Sequence, residues 1–482
     1  MSTDLPATEE RFKGYRGPGR ALLERHGVGV WSEVDAETSQ GNFRGIILPR
    51  SVTADAEHLV LKLASGYNVG LQVDTVHRLT EFGRKEARYK IPEQAFPRDA
   101  GKPFVRLFGT GGTIASRLDY RTGAVIPAFT PGELYGSVPE LADVCNLETE
   151  KLYGVFSENM GPEQWIGTAL AVEAAIREGV DGIVIGHGTD TMAHTAAVLS
   201  FMLQNPPVPI VMVGSQRSSD RPSSDAALNL IHAAVTAGQG DIAEVMVCMF
   251  GPTSDQYGLL HRGTRVRKMH SSYRSTFRTI SDTPLATVNR EGVRPLRRDY
   301  SPRRFRTAVE GRRPEAKAAA LAGFRATPVF DDRVAIVYYY PGMKADVIDA
   351  LIDNGYRGIV IAGTGLGHVN RPVYPAIERA RAAGVAVFMT VQTLWGYVQM
   401  YVYETGREIM EMGVTPLANM LPEVAYMKLG WALGQSDDPD AVRRIMTTPV
   451  ADDITERETH DGYLLFQGGL PELEAFVRDH RK

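Results

Sequence analysis

Cysteine is nearly absent: Cys145 and Cys248 are the two examples among 482 residues. Two thiols without a Cys-x-x-Cys spacing build neither a disulfide framework nor a cysteine-rich zinc site. Long hydrophobic runs are missing too. No stretch approaches the roughly 18–20 apolar residues of a membrane-spanning helix. The opening Met1-Ser2-Thr3-Asp4-Leu5 lacks the basic and then apolar run of a secretory leader. A soluble, cytoplasmic protein without a membrane role is the expectation. Nor does one sign of charge dominate: 53 Lys and Arg oppose 57 Asp and Glu, for a formal net charge of −4. That balance excludes a basic nucleic-acid coat, although a local patch survives the average. What is present is ordinary for a globular chain, with 43% hydrophobic and 23% charged residues. At roughly 100–200 residues per domain, the length implies two to four domains.

The first hundred residues read differently from the rest. After a polar lead over 13–20 come short β-type runs: Val28-Gly29-Val30-Trp31, Phe43-Arg44-Gly45-Ile46-Ile47-Leu48, Leu59-Val60-Leu61-Lys62-Leu63 and Tyr67-Asn68-Val69-Gly70-Leu71. Gly, Asp, Ser and Thr separate them at the spacing of a small barrel or sandwich. Charged residues over 81–90, then Pro92, Pro97 and Gly101-Lys102-Pro103, read as a linker. From Phe104 the rhythm changes to apolar runs that end in Gly or Thr and alternate with helical segments. The runs cover 105–108, 182–185, 210–213 and 245–249, with helices predicted over 163–178 and 191–203. That alternation is the pattern of an open, mostly parallel α/β sheet. Residues 261–317 hold about sixteen Arg and Lys against five Asp and Glu, and read as long basic loops and a connector. The α/β rhythm returns from Arg333. The division expected is 1–97 for the extension, β domain and linker, 98–325 for a first α/β domain bearing the site, and 326–482 for a smaller second one.

Ligands of open parallel sheets bind beyond the carboxyl ends of the strands, so the loops there are the candidates. Gly109-Thr110-Gly111-Gly112-Thr113-Ile114-Ala115 is neither a dinucleotide fingerprint nor a phosphate-cradling loop. It offers close backbone approach and a Thr hydroxyl among free N–H groups, the parts of a nucleophile beside an oxyanion hole. Turning the chain is the bland alternative. Gly186-His187-Gly188-Thr189-Asp190-Thr191-Met192 opens a predicted helix, where Asp190 or Thr191 can serve simply as an N-cap. A third loop runs over 214–225 and is crowded with capping residues, whose bland role is to order the local backbone. In Arg265-Val266-Arg267-Lys268-Met269-His270 a lysine stands among cations, which disfavour its charged form and make a neutral amine available as base. A solvated basic loop is the bland reading there. His187 and His194 lack the company of a metal site, with no His-Glu-x-x-His and no Cys/His cluster, so hydrogen-bonding roles are expected.

Together the motifs Thr110-Gly111-Gly112-Thr113-Ile114-Ala115 and His187-Gly188-Thr189-Asp190-Thr191-Met192 resemble the two signatures of the type I/II asparaginase family. The resemblance covers the chain from about Phe104 to its end. It implies two α/β domains, with the active site at the carboxyl edge of the first and completed across a dimer contact. Position by position, it makes Thr113 the nucleophile and Thr189, Asp190 and Lys268 a Thr–Asp–Lys triad. Lys268 then withdraws a proton from Thr189 or a bound water, and Asp190 also takes the substrate's α-ammonium. Ser157 and Glu158 fall where the family binds the substrate's α-carboxylate and α-amine, with Glu where many members have Gln. Tyr120 corresponds to a catalytic tyrosine on a loop of variable length.

The runs Gly45-Ile46-Ile47-Leu48-Pro49-Arg50, Leu61-Lys62-Leu63 and Gly66-Tyr67-Asn68-Val69-Gly70 are similar to the extra β domain of archaeal-type glutamyl-tRNA(Gln) amidotransferase D subunits. So are Asp119-Tyr120-Arg121-Thr122-Gly123-Ala124-Val125, the stretch from Gln216 to Leu230 and that from His261 to His270. This narrower resemblance implies an asparaginase-like two-domain core, preceded by a small all-β barrel-like domain. It implies hydrolysis of glutamine or asparagine, with no cofactor or metal in this chain. An E-type partner subunit uses the ammonia with ATP and Mg²⁺ to convert Glu-tRNA to Gln-tRNA, in a heterotetramer built on a homodimer. Two places depart from that pattern: Gly396-Tyr397-Val398 stands for Gly-Arg-Val, and Asn419-Met420-Leu421-Pro422-Glu423 for Asp-Met-Leu-Pro-Glu. The alternatives are a free-standing asparaginase/glutaminase with an accessory domain, or ammonia supply to a different acceptor.

Overall fold

The computed structural model describes residues 11–51, 53–65, 68–85, 99–112, 116–119, 124–127, 138–217, 223–306, 314–458 and 463. Near the amino end, a helix (Gly17–Arg25) precedes five strands: β1 (Ser32–Thr38), β2 (Gly41–Ile47), β3 (His58–Leu63), β4 (Asn68–Gln72) and β5 (Val76–Arg84). All pair antiparallel, in the order β4-β3-β2-β1-β5. β4 and β5 are the two edges, so the sheet is open and does not close as the expected barrel would. The alternation of β1, with Val34 and Ala36 buried and Asp35 exposed, gives it one core face. Three expectations fail here. The run from Val28 is not a strand, because Gly27 and Trp31 both take positive φ and turn the chain while Val28 and Val30 plug the core. The polar lead hides the helix, whose Leu22 and Leu23 are buried against the same core. The charged start of the expected linker belongs to β5, whose Glu81, Gly83 and Arg84 still pair with β1; residues 86–98 lie outside the described residues.

The first α/β unit is an eight-stranded sheet. Its order is Gly292–Pro295, Ala286–Asn289, Gly258–Arg262, Val245–Phe250, Ile210–Val213, Gly182–Gly186, Phe104–Gly111 and Asn146–Val155. From Val245–Phe250 to Asn146–Val155 the neighbours are parallel, and the remaining pairings are antiparallel. The central strands are apolar at nearly every position because both faces are covered. Helices Pro162–Glu178 and Met192–Met202 lie on one side and Ala226–Gln239 on the other. Met192–Met202 is apolar nearly all round and buried throughout except at His194. The second unit is a parallel four-stranded sheet, Val334–Tyr338, Gly358–Gly363, Ala386–Val391 and Thr415–Pro416. Its helix Pro422–Leu433 packs on Met192–Met202 of the first unit, with Phe201 stacked on Trp431 at 5.8 Å between centroids. One apolar core therefore runs through both α/β units.

The expected basic connector is a correction. Residues 258–295 supply sheet strands, and a short hairpin pairs Val266–Lys268 with Phe277–Thr279. Most of its arginines are engaged internally. Arg262 donates to Glu244 at 2.7 Å, Arg297 pairs with Asp282 and Asp299, and Arg303 donates to the Ala237 and Gly238 carbonyls. Arg306 faces Asp241 at 3.6 Å. Part of the positive charge meets acids outside the stretch, Glu244 and Asp241, which a local count cannot show. Among the described residues, no helix is long and apolar enough to cross a membrane.

Candidate active site

The carboxyl ends of neighbouring parallel strands bring the loops together. Phe104–Gly111 and Gly182–Gly186 pair in register, so the first motif follows one strand and the second motif its neighbour. Thr110 is buried, and its Oγ1 donates to the Gly186 carbonyl at 2.9 Å. Gly112 has φ +81, and a Cβ there would lie 2.2 Å from the Gly188 nitrogen. Two glycine backbones thus press against each other, an approach open only to residues without a side chain. Thr113 and Tyr120 lie outside the described residues.

The second loop is held from below by His187. Its imidazole is fully buried; Nδ1 lies 2.7 Å from the Gly188 carbonyl and Nε2 2.9 Å from Thr195 Oγ1. These contacts fit a neutral ring that donates from Nδ1 and accepts at Nε2. Burial pushes its pKa down to about 4, against a smaller opposing effect of the Gly188 bond. Both histidines that raised the question of a metal have other surroundings. His194 is half-buried near Glu423 and Arg267, and partial desolvation lowers its pKa.

Ser157 and Glu158 sit in a single 3₁₀ turn (Ser157–Asn159) after the edge strand Asn146–Val155. Ser157 is buried and abuts Gly188, where an added Cβ would lie 2.7 Å from its Oγ; its carbonyl accepts from Thr191 Oγ1 at 2.6 Å. Glu158 is exposed beside it. Lys268 arrives from the hairpin. Its Nζ donates to Thr189 Oγ1 at 2.9 Å and to Asp190 Oδ1 at 2.7 Å, across 78 residues of sequence in the latter case. Thr189 is buried and Asp190 mostly exposed, so the group opens to solvent on the carboxylate side. The crowd of cations around the lysine is dispersed in space. Arg265 reaches Asn419, Arg267 faces Glu423, and Lys268 alone of the three turns to Asp190.

The loop after Ile210–Val213 follows the bland reading. Asp225 is fully buried and accepts from the Gln216 and Arg217 backbone N–H groups at about 3.0 Å and from Asn229 Nδ2 at 2.9 Å. Asn229 also donates to the Gly214 carbonyl. Gly214 itself touches the second motif, since a Cβ there would lie 2.8 Å from Thr189 Cγ2. Asp225 and Asn229 therefore shape the wall beside Thr189. Their signal in the sequence, an acid and an amide four residues apart at a helix start, is no different from ordinary capping.

The two departures share one contact. Tyr397 OH donates to the Thr455 carbonyl at 3.0 Å, and Asn419 Nδ2 donates to Thr455 Oγ1 at 2.7 Å. Tyr397 and Asn419 are thus joined through Thr455, and the two places meet in one contact.

Comparison with known proteins agrees with this architecture. Residues 104–300 match the family model "Asparaginase, N-terminal", 333–446 match "Glutaminase/Asparaginase C-terminal domain", and 30–80 match "GatD N-terminal domain". The D subunit of glutamyl-tRNA(Gln) amidotransferase from Thermococcus kodakarensis is 47% identical over 449 residues, 92% of this chain and 98% of that one. The protein of the same name from Methanothermobacter thermautotrophicus is 45% identical over 444 residues, covering 92% and 98%. Among solved structures, the thermostable L-asparaginase of T. kodakarensis superposes with a TM-score of 0.62 at 31% identity, over 73% of this chain and 99% of its own. An asparaginase-fold enzyme core with an added amino-terminal β domain, matched along nearly the whole of its relatives, places this chain in the family of glutamyl-tRNA(Gln) amidotransferase D subunits.

Proposed function

We propose that this enzyme subunit releases ammonia from the side-chain amide of glutamine or asparagine and passes it to a partner subunit that amidates Glu-tRNA(Gln). One observation carries the catalytic part: Lys268 Nζ stands within hydrogen-bonding distance of both Thr189 Oγ1 and Asp190 Oδ1. In the reading, Thr113 Oγ attacks the amide carbon, a C–O bond forms, and the C–N bond breaks as the nitrogen leaves protonated as ammonia. Water then cleaves the ester, returning Thr113 and the free acid. Lys268, once neutral, takes the proton of Thr189 or of the attacking water, and Asp190 stabilises the resulting ammonium. Ser157 and Glu158 bind the substrate's α-carboxylate and α-amine, beside Asp190. Tyr120 supplies a further hydroxyl. The ATP and Mg²⁺ of the amidation step belong to the partner, an E-type subunit, which also engages the tRNA in a heterotetramer.

The test is Thr113→Ala. It should leave folding intact and lower amide hydrolysis by about 10²–10³-fold, the scale expected on removing a nucleophile. Turnover close to the parent's would end the assignment. The likeness to an L-asparaginase over nearly all of that enzyme's length favours a second reading, hydrolysis without a partner. Ammonia release measured with and without an E-type subunit and charged tRNA separates the two. Indifference to both additions favours the second.

A further inference from the structure

Lys268 is reached through a strand whose other face is bolted to the second α/β unit. Arg267, next to Lys268 on that strand, turns to the opposite face, and Arg265 stands in the turn just before it; both reach the second unit. Arg265 is fully buried. Its guanidinium donates to the Asn419 carbonyl at 2.9 Å, to Asn419 Oδ1 at 3.1 Å and to the Asp452 carbonyl at 3.0 Å. Arg267 faces the buried Glu423 carboxylate at 3.6 Å, and among the described residues neither Glu423 oxygen accepts a hydrogen bond. Asn419 and Glu423 are four residues apart at the start of helix Pro422–Leu433. The Asn419 amide is itself fixed in orientation, since Oδ1 also accepts from the Thr455 N–H at 3.0 Å and Nδ2 donates to Thr455 Oγ1. A carboxylate or carbonyl buried against a guanidinium is costly to leave unpaired, so this face has little freedom to shift.

We propose that residues 419–423 of the second unit are the positioning element for Lys268, holding its hairpin from behind so that Nζ lies between Thr189 and Asp190. Asn419 and Glu423 are positioning residues; they act through Arg265 and Arg267 and touch no reacting atom. The proposal rests on the reading of Lys268 as the base. A displacement of about 1 Å at a catalytic group lowers rates by up to about 10²-fold without a change in substrate contacts. Asn419→Ala and Glu423→Gln should therefore lower kcat for ammonia release about 10- to 100-fold while KM stays within about twofold. Tyr397→Phe, which removes one bond to Thr455, should give a smaller loss of the same kind.

The full-length protein, each variant, Lys268→Met and the variants combined with Lys268→Met would be assayed with asparagine and glutamine, alongside their melting temperatures. If the element acts through Lys268, its loss adds nothing to the residual rate of Lys268→Met. Losses that multiply with Lys268→Met, or that appear in KM, would mean a general structural role and overturn the proposal. If Asn419→Ala melts far below the parent, Glu423→Gln and Tyr397→Phe decide by the same criterion. Retained kcat in all three, with Lys268→Met inactive, sinks the positioning role alone. Near-normal kcat in Lys268→Met sinks the reading of the lysine and the proposal together.

Discussion

A lysine and an arginine at position 268 would carry the same charge but differ in the one property a base requires. The guanidinium does not deprotonate in a protein, whereas an ammonium gives up its proton when its surroundings favour the amine. Lys268→Arg should therefore lose activity almost as completely as Lys268→Met, by about 10²–10³-fold in kcat. Steady-state ammonia release from both variants checks this. An Arg variant that keeps most of the activity would mean that position 268 needs only a cation beside Asp190. Single residues also show what a sequence conceals at this scale. His187 reads as one more residue of a signature motif, yet its two nitrogens fasten the Gly188 carbonyl and Thr195 beneath Thr189. Asp225 reads as one capping residue of its loop, and with Asn229 it does order a backbone, but that backbone is the wall at Thr189.

Elements decide whether the motifs meet. The apolar runs over 182–185, 210–213 and 245–249, and that over 105–108 broken only by the half-buried Arg106, are legible because a strand covered on both faces is apolar at consecutive positions. The edge strand Asn146–Val155 is not, since its exposed and half-exposed positions carry Glu148, Glu150 and Lys151. The helix Gly17–Arg25 is hidden by its Gly, Pro and Arg content, although Leu22 and Leu23 anchor it. The contact between the first two motifs depends on glycine. In Gly112→Ala the new Cβ would collide with the backbone of Gly188, and the residue would keep an unfavourable φ of +81. We expect at least about a 10²-fold fall in kcat from the displaced loops. The sheet beneath should hold, with melting lowered by only a few degrees, about what a 1–2 kcal/mol loss produces. Normal turnover in Gly112→Ala would show that the two loops need not touch.

At the scale of the molecule, the asparaginase-like core is a complete fold without the amino-terminal sheet. The L-asparaginase of T. kodakarensis matches 73% of this chain along 99% of its own length. A chain beginning near Pro97 should remain soluble and hydrolyse glutamine or asparagine slowly. On the proposed function, in which the added sheet positions a partner or the tRNA, it should no longer support delivery of ammonia to Glu-tRNA. Ammonia release and amidation by both lengths, with partner and tRNA, test this; full amidation by the shorter chain would refute it. Acid should loosen the whole fold. Burial lowers the pKa of His187 and His232 to about 4 and of His261 to about 3. An unfolded histidine takes up its proton near pH 6.5, so below that value the unfolded chain binds more protons than the folded one. The stability from these neutral rings is full above pH 6.5 and is lost as pH falls toward 4. Each unit of depression is worth about 1.4 kcal/mol. Melting temperatures should fall steadily between pH 7 and pH 4.5, and a flat profile would contradict the burial argument.

The local pattern of side chains by itself determined the alternation of buried strands and helices, the α/β class and the glycine-bearing loops at the strand ends. Those follow from short-range rules of periodicity and turn chemistry, which act over a few residues. Its motifs also pointed to Thr189, Asp190 and Lys268 as one group, through resemblance rather than through any local rule. Only the tertiary structure decided the distances among them, because a hydrogen bond across 78 residues depends on how the hairpin packs against the sheet. It likewise opened the amino-terminal sheet and turned the basic stretch into strands, from which Arg262 and Arg267 face acids from elsewhere. It joined Tyr397 and Asn419 at Thr455 as well. Each of these is a pairing between segments distant in sequence. Which charge or donor meets which is settled by packing, and composition along the chain carries no record of it.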